Sequence, residues 1–211
     1  MLDFSLRYLQ ILKTDLAGLN LTNILDDEEF YHKQILDSIN PYLQSEAFQR
    51  EVKAKGVVVD VGFGGGFPIL PLAKLLPDVK FVGVETRRKK ADAVRLIAEK
   101  LGLTNVTLVH SRLEDFYFDR PAVITFKAVG TIMDYLPLIQ HNSKETCVFF
   151  YKGPSFEEAE AVHFKQLKNS WEMVSLEEIQ VPHTQRRCLA YFRATNVPRG
   201  TKYLVKLTDY L

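Results

Sequence analysis

Asp60, Gly62, Gly64, Gly65 and Gly66 lie close together, and Glu85 follows Asp60 by 25 residues. A turn this dense in glycine allows positive φ and lets a ligand press on backbone N–H groups at a helix N-terminus. The two acids add acceptors of different use: Asp60 suits the cationic amino-acid end of a ligand, and Glu85 can accept from both hydroxyls of a ribose. Spacing narrows the choice further. A dinucleotide fingerprint, G-x-G-x-x-G, puts its third glycine where Phe67 stands, and a P-loop needs Lys followed by Ser or Thr where Phe67 and Pro68 stand. Both of those readings weaken. The competing readings are a tight turn without a ligand for the glycines and a solvated strand-end acid for Glu85.

These residues have to be positioned by a strand on one side and a helix on the other. Val57, Val58 and Val59 are consecutive and β-branched, as in a strand buried on both faces of a parallel sheet, and Asp60 closes the run. Ile69, Leu72, Ala73 and Leu76 give the helix face that follows, with Pro77-Asp78 as the turn out of it. Strand, glycine turn and helix with the spacing acid-x-G-x-G-x-G, from Asp60 to Gly66, match the opening motif of class I S-adenosylmethionine-dependent methyltransferases. The second strand is Lys80 to Glu85; Thr86 can cap the next helix, whose inner face is Val94, Ile97, Ala98 and Leu101. Further strands are expected over 105–110, 122–126 and 146–151, with a polar loop from Ser111 to Asp115 and a helix over 130–140. Ser155-x-x-Glu158 is a capping box that opens a helix to about Lys168. Two closing strands, 171–181 and 187–193, have no helix between them and so run antiparallel. The expected fold is therefore α/β and Rossmann-like: a mostly parallel seven-stranded sheet ending in an antiparallel hairpin, the class I methyltransferase arrangement.

Ahead of this core, Leu2, Leu6, Leu9, Leu12 and Leu16 draw an apolar stripe on a helix ending near Gly18. Asp26 resembles an N-cap with Glu29 in the first turn, and Ile35, Leu36 and Ile39 continue a second helix until Pro41 stops it. Residues 1–50 form a helical cap packed on the main domain, 51–194 the methyltransferase domain and 195–211 a tail; Arg50 to Lys55 is a polar passage before the first strand.

The chain has 211 residues, 46% hydrophobic and 25% charged, with a net charge of +1, the composition of a folded globular protein. A polyanion partner must then be met by a local basic patch. Cys147 and Cys188 sit in apolar runs without metal or redox spacing and read as buried thiols. The five histidines are scattered, so no metal is implied. Asp3, Arg7 and Lys13 interrupt the N-terminal leucines, and no run approaches a membrane span, so a cytoplasmic protein with no membrane association is expected.

Asn20-Leu21-Thr22-Asn23-Ile24, Ile35-Leu36-Asp37-Ser38-Ile39, Asp60-Val61-Gly62-x-Gly64-x-Gly66-Phe67-Pro68 with Pro71-Leu72-Ala73, Ser111 to Phe116, Lys152-Gly153 and Arg187-x-Leu189 together resemble the bacterial ribosomal RNA small-subunit methyltransferase G family, also called GidB. The resemblance spans most of the chain. It implies S-adenosylmethionine as cofactor, with contacts from Gly62, Phe67, Leu113 and Glu114, to which the motif reading adds Asp60, Gly64, Gly66 and Glu85. It implies methyl transfer to N7 of a guanine in 16S ribosomal RNA, with the small ribosomal subunit as partner; separately, a monomer is expected. Lys127 stands where the family has an arginine near the cofactor and is the candidate catalytic residue, holding substrate or cofactor carboxylate. Three positions depart from the pattern: Ile69 for a glycine, Phe126-Lys127 for Ser-Arg, and Gln34 for a histidine. Lys127 keeps the charge but loses the planar five-donor fork of arginine.

Arg87, Arg88, Lys89 and Lys90 crowd the first turn of a helix, where cations oppose the helix dipole. With Arg112, Lys152, Arg186 and Arg187 they form a candidate RNA-binding patch if they meet on the C-terminal edge of the sheet. A solvated charge run is the bland alternative. Two other functions stay open from the residues: a cofactor-binding ribosome-associated factor without transfer activity, and a small-molecule methyltransferase.

Overall fold

The computed structural model describes residues 1–154, 160, 170–198 and 205–211. The expected capping box at Ser155 and Glu158, and its helix to Lys168, lie outside the described residues. In chain order the elements are α1 (Leu2–Thr14), α2 (Asp27–Phe30), a π-helical turn (Tyr31–Leu36), α3 (Asp37–Gln44), α4 (Glu46–Lys55), β1 (Val57–Val61), α5 (Ile69–Leu75), β2 (Lys80–Glu85), α6 (Arg88–Lys100) and β3 (Val106–His110). After a 3-10 turn (Leu113–Asp115) come β4 (Phe116–Phe118), β5 (Val123–Lys127), α7 (Ile132–Tyr135), β6 (Gln140–His141), β7 (Cys147–Lys152), β8 (Trp171–Ile179), β9 (Arg187–Ala194) and β10 (Val205–Lys206).

The main sheet has seven strands in the order β3-β2-β1-β5-β7-β9-β8, parallel except for β9 and β8. Period-two alternation divides its residues between two cores. Val58, Phe81, Val123, Phe149 and Tyr191 face the N-terminal helices with α5 and α6. Val57, Val59, Val82, Ile124, Phe150 and Phe192 face the opposite side with Leu136 and Phe116. Each fully buried apolar side chain contributes about 1.5–3 kcal/mol relative to exposure, so a sheet covered on both faces is held chiefly by this burial.

The N-terminal region is built into the core more deeply than an apolar stripe predicts. Leu9, Leu12 and Leu16 are buried as expected, but Leu2 and Leu6 are exposed, and the buried face turns instead onto Phe4, Tyr8 and Ile11. Asp26 caps α2, its carboxylate accepting from the Glu29 N–H at 2.9 Å. Pro41 does not stop the helix: α3 runs on to Gln44, and the irregularity falls in the π-helical turn just before it. The passage from Arg50 to Lys55 is the second half of α4, begun by the Ser45 N-cap and ended by Gly56 at φ 67°. The expected domain boundary at residue 50 thus falls inside a helix. Within α4, Glu51 accepts from Tyr191 Oη at 2.9 Å and Arg193 at 2.8 Å and pairs with Lys55. Burial opposes its ionisation, but these partners outweigh it and bring its pKa to about 2.

A second, small sheet was not expected. β4 pairs in parallel with both β10 and β6, and beyond β10 Leu207 is buried, so the far C-terminus packs where a tail was anticipated. The helix expected over 130–140 is the single turn α7 followed by a 3-10 turn, its Thr131 N-cap closing a capping box with Asp134. Cys147 and Cys188 are buried free thiols, and burial pushes Cys147 up to about 12. Among the described residues no helix is long and apolar enough to cross a membrane.

Candidate functional site

β1, β2 and β5 end side by side, and a cavity of about 560 Å³ opens over their C-terminal ends. Its wall is the glycine turn (Gly62 to Gly65) with Phe67, then Glu85, Thr86, Arg87 and Lys90 from the β2–α6 junction, then Lys127 to Gly130 after β5. Leu21, from the loop between α1 and α2, and Gln34, from the π-helical turn, close it from the N-terminal region. This is the crevice in which open α/β sheets bind ligands, and its size suits a nucleoside-sized molecule.

Glu85 is the organising acid. It is 6% exposed, and its carboxylate accepts from the Gly64 N–H at 3.0 Å and from the Arg87 N–H at 2.9 Å. One side chain thereby fixes the glycine turn against the start of α6. Thr86, expected as the helix cap, is displaced from that role: Arg87 is the N-cap residue and Glu85 supplies the acceptor. Oε1 also accepts from Thr86 Oγ1 at 3.3 Å, a long bond that a ribose hydroxyl can replace, and Oε2 retains a further lone-pair site. Glu85→Ala is therefore expected to weaken S-adenosylmethionine about tenfold to a hundredfold, since charge-assisted hydrogen bonds are worth about 1.5–3 kcal/mol each. Calorimetry decides this; unchanged affinity would return Glu85 to the role of a loop staple.

The glycines answer to the protein as much as to a ligand. Gly62 and Gly64 have φ of 72° and 53°, and both line the cavity. Gly66 does not line it: a Cβ there would meet Tyr8 Oη at 2.4 Å. A Cβ on Gly65 would meet the Leu21 carbonyl oxygen at 2.7 Å. Tyr8 Oη donates to the Gly65 carbonyl, and its ring stacks on Phe67 at 5.1 Å between centroids, with Phe30 edge-on to both. The N-terminal helices thus press directly on the glycine turn, and burial raises the Tyr8 pKa well above its ordinary value, keeping it a neutral donor.

Asp60 lies beneath the turn rather than in the cavity wall. It is 1% exposed; Oδ1 accepts from Thr125 Oγ1 at 2.8 Å, and Oδ2 has no hydrogen-bond partner among the described residues. Burial lifts its pKa to about 7 against the opposing pull of Thr125 and the Lys127 charge. Lys127 does line the cavity, yet its Nζ pairs with Asp37 Oδ2 at 2.9 Å, while Arg187 Nε donates to Asp37 Oδ1 at 2.7 Å. Asp37, 6% exposed on α3, joins the N-terminal helices to the ends of β5 and β9. Sequence reasoning quoted Asp37 in a motif and missed this role, because its partners are 90 and 150 residues away. Leu113 is buried and Glu114 exposed in the turn after β3, whose His110 pairs with Glu85; neither lines the cavity.

The eight basic candidates all reach the C-terminal edge of the sheet, but in two unlike groups. Arg87, Arg88 and Lys89 are exposed and Lys90 half-buried after β2, with exposed Arg112 after the adjacent β3; Arg87 and Lys90 also face the cavity. On the other side, Lys152 is half-buried, donating to the Gly130 carbonyl at 2.9 Å and pairing with Glu160 at 2.8 Å. Arg187 is committed to Asp37, and Arg186 pairs with Glu178 at 2.9 Å. The second group is structural in its contacts, and the first carries the open positive surface.

The family described as rRNA small subunit methyltransferase G matches residues 3–190. A ribosomal RNA small subunit methyltransferase G from Psychromonas ingrahamii is 36% identical over 177 residues, 81% of this chain and 78% of that protein. One from Lactobacillus acidophilus is 34% identical, covering 79% of this chain and 71% of its own length. Among solved structures, a mitomycin 7-O-methyltransferase superposes with a TM-score of 0.58 at 12% identity, over 89% of this chain and 60% of that one. A SAM-dependent methyltransferase from Aquifex aeolicus gives 0.50 at 16% identity, over 76% and 98%. At such identities these two likenesses speak for the fold alone: it is the class I methyltransferase fold.

Proposed function

Because this chain belongs to the rRNA small subunit methyltransferase G family, we propose that it transfers the methyl group of S-adenosylmethionine to N7 of a guanine in 16S ribosomal RNA, acting as a cytoplasmic monomer on the small ribosomal subunit. One observation carries the reading: the Glu85 carboxylate, fixed by the Gly64 and Arg87 N–H groups, sits in the cavity wall beside a glycine turn with positive φ at Gly62 and Gly64. That arrangement suits a ribose, and Phe67 stands where a dinucleotide fingerprint has its third glycine. It fits the cofactor that the family implies, which supplies an activated methyl group on a sulfonium.

Guanine N7 presents a lone pair and carries no hydrogen, so its methylation needs no general base. The residues agree with that requirement. Asp60 is sealed from the cavity, and the Lys127 ammonium is neutralised by Asp37, so neither is placed to take a proton. What the chain supplies is position: aligning the nucleophile and excluding water accounts for a large share of the barrier when reacting atoms are held about 3–3.5 Å apart. Lys127 is a fixed donor at the cavity wall, assigned to holding substrate or cofactor carboxylate.

S-adenosylmethionine and its demethylated product are expected to raise the melting temperature and NAD is not, because a ligand that binds only the folded state stabilises it by mass action. A larger shift with NAD would sink the methyltransferase reading. The substrate is then settled by transfer of labelled methyl to naked 16S RNA, to unmodified small subunits and to a metabolite pool. Label in the metabolite pool alone would replace RNA by a small molecule.

RNA binding is expected to weaken steeply with salt although the protein is nearly neutral, since each neutralised phosphate on a single strand contributes about −0.7 to the logarithmic slope. Arg88, Lys89 and Arg112 are exposed and lie outside the cavity wall, so replacing all three with alanine should shallow the slope by up to about 2 and leave cofactor affinity alone. Equal slopes for variant and wild type would remove this patch from the RNA site.

A further inference from the structure

Glu28, His32 and His183 offer one ligand atom each within 4.8 Å of one another, and none of the three lines the cavity, although Gln34 on the same π-helical turn as His32 does. Glu28 and His32 are one helical turn apart on the segment running from α2 into the π-helical turn. His183 comes from the connection between β8 and β9, at φ 58°. The two imidazole rings meet at 4.5 Å between centroids with planes 67° apart. His32 Nδ1 is shielded from solvent and has no hydrogen-bond partner among the described residues. A ring nitrogen normally finds such a partner when water is excluded from it. Glu28 and His183 are exposed, so a small ion can reach the group.

We infer that these three residues form a divalent transition-metal site, of the class that takes Zn²⁺, which staples the N-terminal helices to the β8–β9 hairpin. Two imidazoles and one carboxylate are the borderline nitrogen and oxygen donors that Zn²⁺ prefers, whereas Mg²⁺ and Ca²⁺ want oxygen alone. Bonds of about 2.0–2.2 Å to a shared ion require the ligand atoms to close to about 4 Å or less, a small movement for two exposed side chains. The donors are local on one side and distant on the other, so the ion would clamp α2 and the π-helical turn to the β8–β9 connection, which α3 already meets through Asn40 and Gln44 donating to the Gln180 carbonyl, each at 2.8 Å. With three protein ligands, the fourth position is left to water.

The test is titration of the full-length, metal-free protein with Zn²⁺ against a chromophoric chelator, with melting curves in parallel. One ion per chain is expected, and at a hundredfold excess over the dissociation constant the melting temperature should rise by roughly 5–10 °C. His183→Asn tolerates the left-handed backbone and removes the imidazole; Glu28→Gln keeps the side-chain size. Each should leave the metal-free melting temperature where it was and weaken Zn²⁺ at least about tenfold, the size of effect that losing even an outer-shell partner produces. Mg²⁺ should produce no shift. Wild type that takes no Zn²⁺ from the chelator and shows no rise in melting temperature overturns the proposal, as does binding that both variants retain unchanged or that appears only as one ion per two chains.

Discussion

Replacing Asp37 with alanine will lower the folding stability of this protein by about 3–5 kcal/mol, the cost typical of removing one partner from a buried ion pair. The carboxylate is shared by Lys127 at 2.9 Å and Arg187 at 2.7 Å, and all three side chains are largely shielded from water. Arg187 keeps the Gln185 and Arg186 carbonyls as acceptors, so the stranded charge is chiefly Lys127. Because Lys127 lines the cavity, loss of Asp37 should also weaken S-adenosylmethionine, by freeing the wall between β5 and the N-terminal helices. Adding Lys127→Met to Asp37→Ala should restore part of the stability, since an absent pair costs less than half of one, and should leave cofactor binding impaired. Urea unfolding of the two single variants and the double variant measures this. A loss under about 1 kcal/mol for Asp37→Ala would mean that the pair is solvated in practice, like a surface bridge.

The sheet was legible because β1 and β2 each announce themselves as a short apolar run that meets an acid at or near its end. Val57 to Val59 before Asp60, and Phe81 to Val84 before Glu85, needed only period and composition. The small sheet was not legible: β6 and β10 are two residues long and β4 three, too short for any alternation to show. The N-terminal region was half legible. Leucine spacing gave the helix, but the face was rotated toward Phe4 and Tyr8 by what they pack on, and Tyr8 matters because it reaches the glycine turn across 57 residues. The same reason explains Gly66, which sequence assigns to the cofactor and packing assigns to Tyr8.

Charge was the least legible property, since a lysine or arginine in a sequence looks alike whether solvated or paired. Lys152 and Arg187 read as RNA contacts and turn out to be committed to Glu160 and Asp37. The cluster of Glu28, His32 and His183 shows the converse: one helical spacing was visible, but the third member sits 151 residues beyond His32 and the histidines looked scattered. Long-range pairing is set by topology, which places the loop after β8 beside the N-terminal helices.

The stability of the wild type is expected to fall as pH rises from about 4 to about 7, and Asp60→Asn to flatten that fall. Asp60 is buried under the glycine turn with one oxygen on Thr125 and the other unpartnered, and burial lifts its pKa from 3.8 to about 7. Between those two values the folded chain holds a proton that the unfolded chain has released, so each step up in pH favours unfolding, and the penalty is complete above about 7. Over that range, at about 1.4 kcal/mol for each pH unit, it amounts to roughly 4 kcal/mol. Asparagine keeps an acceptor for Thr125 and cannot ionise, so the difference between the two proteins should grow in its favour through the window, whatever constant offset its amide brings. Glu51 acts in the opposite sense and lower down: its pKa of about 2 stabilises the folded state above the ordinary carboxylate range, and that contribution is lost only in acid, outside the Asp60 window. Urea unfolding of both proteins at pH 4, 5.5, 7 and 8 separates the two groups. Parallel curves for wild type and Asp60→Asn would show that Asp60 ionises as freely as a surface carboxylate, and the site would then carry a fixed negative charge beneath its glycine turn at neutral pH.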